Sequence, residues 1–258
     1  MDMAEIIVVA ALKGGVGKST LVANLATALH RTQHRTLVVD ADPQGTLRTW
    51  ARKGAEGDYD GPPVVGVEAV SLRRDLGALA GGFDFVVIDL PPRLGADSRA
   101  AILMADLVLL PVVPGAADAW ALQETLTVLG DAQALRPEIA GAIVFNRADR
   151  TELARMTSKA VAGFSDVPIL DARLGARVAL GEATLAGRGV VDYAPSSAAA
   201  YEVRAIARAV LARLGRTADV EAIRCTREGI STARAPAAHD ARRGGRAPVR
   251  RGSAAARS

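Results

Sequence analysis

Eight consecutive residues, Lys13-Gly14-Gly15-Val16-Gly17-Lys18-Ser19-Thr20, have the types and spacing to do chemistry on an anion. They come close to the pattern G-x-x-x-x-G-K-[ST], with one irregularity, a lysine (Lys13) where the usual loop has a variable residue. Gly14, Gly15 and Gly17 let the backbone fold tightly around Val16, so that successive amide hydrogens point inward at phosphate oxygens. A helix starting near Lys18 aims the positive end of its dipole at the same place. Lys18 then reaches the outer phosphates of a nucleotide, the Ser19 hydroxyl is placed to ligate Mg2+, and Thr20 completes the motif. A glycine-rich turn that binds nothing is the bland alternative. Lysine usage argues against it. The chain uses arginine almost everywhere and has only four lysines, Lys13, Lys18, Lys53 and Lys159. Two of the four sit in this loop, where a compact ammonium does what a planar guanidinium cannot.

Three carboxylates and one amide stand where they could serve such a loop. Asp40 and Asp42, spaced i and i+2, follow the apolar run Thr36-Leu37-Val38-Val39. Two acids at the carboxyl end of a strand suit magnesium and water chemistry, although an acidic turn capping a helix at Thr46 has the same pattern. Asp89 closes the run Phe85-Val86-Val87-Ile88 and is placed to bind magnesium through water near Ser19. Asn146 ends the run Ile143-Val144-Phe145, where a strand-terminating turn is the plain alternative to a binding role.

These residues need a scaffold, and the apolar runs supply one. Strands are predicted at 6–12, 35–39, 64–67, 83–89, 105–114, 139–145 and 167–170. Helices are predicted at 21–29, 72–80, 118–135, 152–163 and 196–214. Alternation of strand and helix gives an α/β, doubly wound fold: a mostly parallel sheet of about seven strands with helices on both faces. Hydrophobic residues make up 50% and aromatics only 3%. An aliphatic core of that kind suits a parallel sheet buried on both sides.

Composition also excludes some chemistry. One cysteine, Cys225, cannot form an internal disulfide or hold an iron–sulfur cluster, and His30, His34 and His239 are scattered. The first residues carry acids rather than a basic leader, and their apolar run is too short for a membrane span, so a cytoplasmic location is expected. The helix at 196–214 sets Val203, Ile206, Val210 and Leu211 on one face and arginines elsewhere, which reads as a core-packing helix rather than a membrane foot. Residues 217–258 hold nine arginines against four acids and are rich in Ala, Gly, Pro and Ser. Two regions are therefore expected: a folded domain at 1–216 and a basic, disordered tail at 217–258. Such a tail either holds DNA through counterion release or is an extension without function.

Lys-Gly-Gly-Val-Gly-Lys-Ser-Thr resembles the deviant Walker A motif of the ParA/MinD family of ATPases, and the resemblance extends over about residues 4–214. Asp40-Ala41-Asp42-Pro43-Gln44-Gly45 resembles the family's D-x-D-P-Q-G, and Asp89-Leu90-Pro91-Pro92-Arg93-Leu94-Gly95 its D-x-P-P-x-x-G switch. The resemblance implies a ParA-like ATPase, with ATP and Mg2+ as cofactors. Lys13 would be the signature lysine that crosses to a partner's nucleotide in an ATP-dependent homodimer. Asp40 would hold a magnesium-bound water, Asp42 would orient or activate the attacking water, and Asn146 would read adenine. A ParB-like or other partner would stimulate hydrolysis, and the ATP-bound dimer would lie on nonspecific DNA of the nucleoid. The expected function is positioning of plasmid or chromosomal DNA.

Two departures limit the resemblance. Pro114-Gly115 stands where short relatives often carry Ser-Pro. Before the last helix, where an arginine is common, this chain reads Pro195-Ser196-Ser197-Ala198, so DNA contact is expected at Arg173, Arg177 and Arg204 instead. No helix-turn-helix is expected before the loop, which resembles the short type. Two other functions compete: a family ATPase that positions a protein cluster or division regulator, and a metabolic ATP-dependent ligase such as dethiobiotin synthetase. Against the ligase stand Lys13, the Asp-Pro-Gln-Gly turn and the lack of a separate substrate domain.

Overall fold

In a computed structural model of the chain, residues 4–148 and 151–225 are described. The apolar runs become strands whose side chains alternate between two buried faces. Phe85 and Val87 join one core cluster, Val86 and Ile88 the other, and all four are inaccessible to solvent. Burial on both faces is why these runs are apolar throughout instead of alternating with polar residues.

Six strands, β1 (Glu5–Val9), β2 (Thr36–Asp40), β3 (Val64–Gly66), β4 (Phe85–Asp89), β5 (Leu107–Val112) and β6 (Ala140–Phe145), form one parallel sheet. Their order is β3-β2-β4-β1-β5-β6. After β1 the chain builds outward on one side and later returns to build on the other. The loop after β1 therefore sits at the switch point, where parallel sheets bind ligands.

Ten helices connect and cover the strands among the described residues: α1 (Lys18–His30), α2 (Thr46–Ala55), α3 (Ala69–Ala80), α4 (Ala96–Ile102), α5 (Ala116–Leu135), α6 (Glu152–Ala162), α7 (Val178–Leu185), α8 (Val190–Tyr193), α9 (Ala198–Arg213) and α10 (Thr217–Cys225). Helices α1, α2, α7, α8, α9 and α10 contribute to one core cluster, and α3, α4, α5 and α6 to the other. Val203, Ile206, Val210 and Leu211 of α9 are buried in the first cluster, as a core-packing helix requires. Among the described residues, no helix is long and apolar enough to cross a membrane.

Two expectations are corrected. The seventh strand at 167–170 is a single bridge between Ile143 and Ile169. Ile143 N–H donates to the Pro168 carbonyl at 2.9 Å and Leu170 N–H to the Ile143 carbonyl at 2.9 Å. Pro168 has no N–H to extend the ladder on its side, and the sheet has six strands. The second correction concerns residue 217, which begins α10 rather than a disordered tail. Ile223 is buried in the cluster that contains α9. Arg216 Nε lies 2.7 Å from Asp219 Oδ2 at the start of α10, and His34 Nε2, in the turn before β2, lies 3.2 Å from Asp219 Oδ1. The rest of the expected tail, 226–258, lies outside the described residues.

Candidate functional site

Residues 10–17 carry the chain from β1 into α1. Gly15 (φ 77°) and Gly17 (φ 89°) are left-handed, a conformation that side chains disfavour. At Gly17 space forbids a side chain as well, because a Cβ there would lie 2.1 Å from Asn146 Nδ2. That close approach has a purpose. Asn146 Nδ2 donates to the Val16 carbonyl at 2.7 Å, and its Oδ1 accepts from Arg147 N–H at 2.9 Å. Asn146, at the end of β6, thus braces the loop. Its amide keeps one hydrogen and one lone pair for a ligand. It lines a cavity of about 610 Å³ together with Gly17, Thr20, Gly175 and Arg177.

The start of α1 is prepared for an anion. No side chain caps it and its first turn holds no acid, so the loop and helix N–H groups are left for another acceptor. Lys18 is buried, and burial lowers its pKa, against the pull of Asp89 and Asp42.

Parallel pairing assembles the carboxylates. Asp89 is in register with Val9 on one side and with Asp40 on the other, so the loop, Asp40 and Asp89 emerge side by side. Ser19 Oγ donates to Asp89 Oδ2 at 2.5 Å. Asp40 Oδ2 accepts from the N–H groups of Leu47 (3.1 Å) and Arg48 (3.0 Å) at the start of α2. The capping role considered for this turn is therefore met by one oxygen of Asp40. The other oxygen of Asp40 and the second oxygen of Asp89 are buried without a hydrogen-bond partner. Burial pushes Asp89 up to about 7, opposed by Ser19 and Lys18 and assisted by Asp40 and Asp42.

Buried carboxylate oxygens without partners are costly unless a ligand completes them. Two such oxygens beside the Ser19 hydroxyl form a hard-oxygen donor set of the kind Mg2+ takes. Among the described residues no group of three or more His, Cys, Asp or Glu could cage a metal. Magnesium bound with nucleotide does not need one, since phosphates and waters fill most of its positions. Asp42 is half-buried at the rim, its Oδ1 accepting from Gln44 N–H at 2.9 Å. It borders a cavity of about 650 Å³ with Asp40, Arg48, Glu68, Pro91 and Asp97. Pro91 belongs to the stretch after β4 in which Arg93 holds a left-handed φ of 69°.

Lys13 is turned to its own chain: Nζ lies 2.7 Å from Asp118 Oδ2, in the first turn of α5. Sequence reasoning missed Asp118, and it missed Arg48, whose Nε lies 3.6 Å from Asp40 Oδ2. A lone acid at a helix start is the only signal Asp118 offers.

The three arginines expected at DNA stand in different local surroundings. Arg173 is exposed and lines a groove with Arg155 and Lys159 of α6. Arg177 lines the cavity beside the loop and pairs with Glu202 at 2.6 Å. Arg204 donates to the carbonyls of Pro195 (2.8 Å) and Val191 (3.4 Å), fastening α9 to the turn before it.

Sheet order, glycine loop and acidic corner together define a P-loop nucleotide-binding protein. Residues 7–190 match the CobQ/CobB/MinD/ParA nucleotide binding domain, and the chain belongs to that family. It is 30% identical over 206 residues to the maintenance of carboxysome distribution protein A of Halothiobacillus neapolitanus, covering 79% of this chain and 94% of that protein. It is also 30% identical over 235 residues to the chromosome-partitioning ATPase Soj of Thermus thermophilus, covering 78% and 93%. The fold matches the septum site-determining protein MinD of Pyrococcus horikoshii, solved as a complex with Mg-ADP, with a TM-score of 0.65 and 24% identity over 81% of this chain and 96% of that one.

Proposed function

We propose that this chain is a positioning ATPase that binds ATP with Mg2+, pairs with a second copy across the nucleotide, and hydrolyses ATP under the control of a partner protein. The observation that carries the reading is the corner where buried Lys18 and Ser19 meet two carboxylates, each with an unpartnered buried oxygen. In this reading Lys18 and the loop N–H groups hold the phosphates, while Ser19, Asp40 and Asp89 hold the cation. Bound Mg2+ would supply charge neutralisation at the phosphate oxygens. Asp42, at the rim and half-open to solvent, orients the attacking water. Asn146 keeps the loop in shape from the base side and offers its remaining amide hydrogen and lone pair to adenine.

Asp42→Ala is the test of the hydrolytic role. Nucleotide affinity should stay within about threefold of wild type while hydrolysis falls by about 100-fold or more, the scale of a lost general base. Equal losses of affinity and turnover would remove Asp42 from the water-activating role.

Nonspecific DNA is the surface on which we expect the ATP-bound form to sit, in the cytoplasm and on the nucleoid, with DNA as the cargo. Arg173 with its groove on α6, together with Arg177 and Arg204, is the folded part of that contact, and each phosphate contact there should contribute about 0.9 to the slope of log affinity against log salt. The carboxysome-distribution relative favours a second reading, in which the cargo is a protein assembly. Co-sedimentation with nonspecific DNA, with and without ATP, tests the surface: binding that ignores ATP contradicts it. Affinity capture on the ATP-locked Asp42→Ala protein separates the cargoes, yielding a DNA-bound adaptor in the first reading and a component of a protein assembly in the second.

A further inference from the structure

Lys13 is the one charged residue of the loop that the site in its own chain leaves without a task. Its amine is 2.7 Å from Asp118 Oδ2. The carboxylate is well covered, with a side-chain exposure of 14%, whereas that of Lys13 is 41%. Three features favour an ion pair at Asp118. It lies in the first turn of α5, where the helix dipole favours a negative charge. Leu12 N–H donates to Thr125 Oγ1 at 3.4 Å, joining the loop to the same helix. Ala11, Leu12 and Val16 then line a small cleft with Ala121 and Leu122. An ammonium held at hydrogen-bond distance from Asp118 must give up or share that contact to reach a phosphate on another molecule.

We propose that Asp118 is a positioning residue that holds Lys13 against its own chain and thereby restrains pairing until nucleotide and a second copy draw the amine away. The proposal rests on the reading of Lys13 as the residue that reaches a second copy. A part-exposed ion pair is weak, so the hold is a bias and not a lock. Two such pairs open for every dimer formed. Their removal should therefore raise the association constant about two- to thirtyfold. A purely structural Asp118, stabilising the start of α5, would act whether or not Lys13 is present. That difference separates the two roles.

The test is sedimentation velocity on the full chain with Mg2+ and a non-hydrolysable ATP analogue, for wild type, Asp118→Asn, Lys13→Gln and the double variant. Asp118→Asn should pair at lower protein concentration than wild type, Lys13→Gln should pair poorly, and the double variant should behave as Lys13→Gln does. Pairing of Asp118→Asn equal to or weaker than wild type overturns the proposal. So does an equal effect of Asp118→Asn in the Lys13→Gln background. Failure of the dimer reading looks different, because then no variant pairs, with the analogue or without it.

A second measurement is independent of pairing. With only four lysines in the chain, acylation of each amine can be followed by peptide mass spectrometry on dilute, nucleotide-free protein. Asp118→Asn should speed acylation of Lys13 about two- to fivefold relative to Lys53 and Lys159. An unchanged ratio means that Asp118 does not hold the amine, and the proposal falls.

Discussion

Two acidic corners flank α1, and they are finished differently. At Asp192 of α8 both carboxylate oxygens are engaged: Arg31 Nε donates to both at 3.1 and 2.9 Å, and the Tyr59 hydroxyl donates to Oδ2 at 2.7 Å. Burial, with Asp192 beside it, pushes Tyr59 up to about 12, so it remains a donor at any ordinary pH. Arg188 stacks over the Tyr59 ring at 5.1 Å, and its carbonyl accepts from Trp50 Nε1 at 3.2 Å. Both oxygens of Asp192 are thus taken, and the effect is to clamp the loop after α2 and the turn before α8 onto α1. At Asp40 and Asp89, by contrast, each carboxylate keeps one buried oxygen with nothing to accept from. Each such atom costs about 1–3 kcal/mol. A satisfied network stabilises the fold; an unsatisfied one at a strand end stands ready for a ligand.

Substitutions can break that contrast, and the largest effect is expected at the loop. Lys18→Ala should weaken nucleotide binding about 100-fold, since a charge-assisted phosphate contact and loop order go together. Equilibrium titration with a fluorescent nucleotide reads this directly. Asp192→Asn should do the opposite kind of damage. It should cost about 1–2 kcal/mol of stability, discounted because Arg31 is partly exposed, and leave the nucleotide affinity of the folded protein alone. Thermal melts then shift down by roughly 2–8 °C. A loss of affinity there would show that the two corners are not separable.

Asp89→Asn gives a smaller effect of unusual sign. The folded pKa of Asp89 is raised from 3.8 to about 7. A carboxyl with a raised folded pKa stabilises the fold while protonated, and that contribution is lost as pH rises from about 4 through about 7. Without nucleotide, Asp89→Asn should therefore be more stable than wild type at pH 8, with the advantage shrinking toward pH 5. A variant less stable than wild type at pH 8 would mean that Asp89 is a structural acid like Asp192.

Much of the site was legible because it is written in strand ends. A glycine loop after β1, acids closing β2 and β4, and an amide closing β6 are local patterns, and parallel pairing brings strand ends together without further instruction. The parts that escaped depend on distant partners. Lys13 and Asp118 are 105 residues apart, and no local spacing announces their contact. Arg177 pairs with Glu202, and Arg204 donates to the carbonyls of Pro195 and Val191, contacts that the local pattern does not announce either. The expected seventh strand stops at one bridge: Pro168 lacks the amide hydrogen to extend it one way, and the other way the Phe145 carbonyl accepts from Leu174 N–H, out of ladder register. Helix α10 was hidden in a basic stretch whose composition outweighed Val220 and Ile223, the apolar residues that pack it onto the core.

Proton release on binding is the most direct test that the unfinished corner is a magnesium–nucleotide site. Cation binding requires Asp89 ionised, so a group with a pKa of about 7 in the nucleotide-free protein must give up its proton as the ligand enters. Calorimetric titration with Mg2+ and ADP, in buffers of different ionisation enthalpy, counts that proton. After subtraction of the release shown by Asp89→Asn, wild type should lose roughly half a proton at pH 7, more at pH 6 and almost none at pH 9. Identical proton counts for wild type and Asp89→Asn across that range would contradict the assignment.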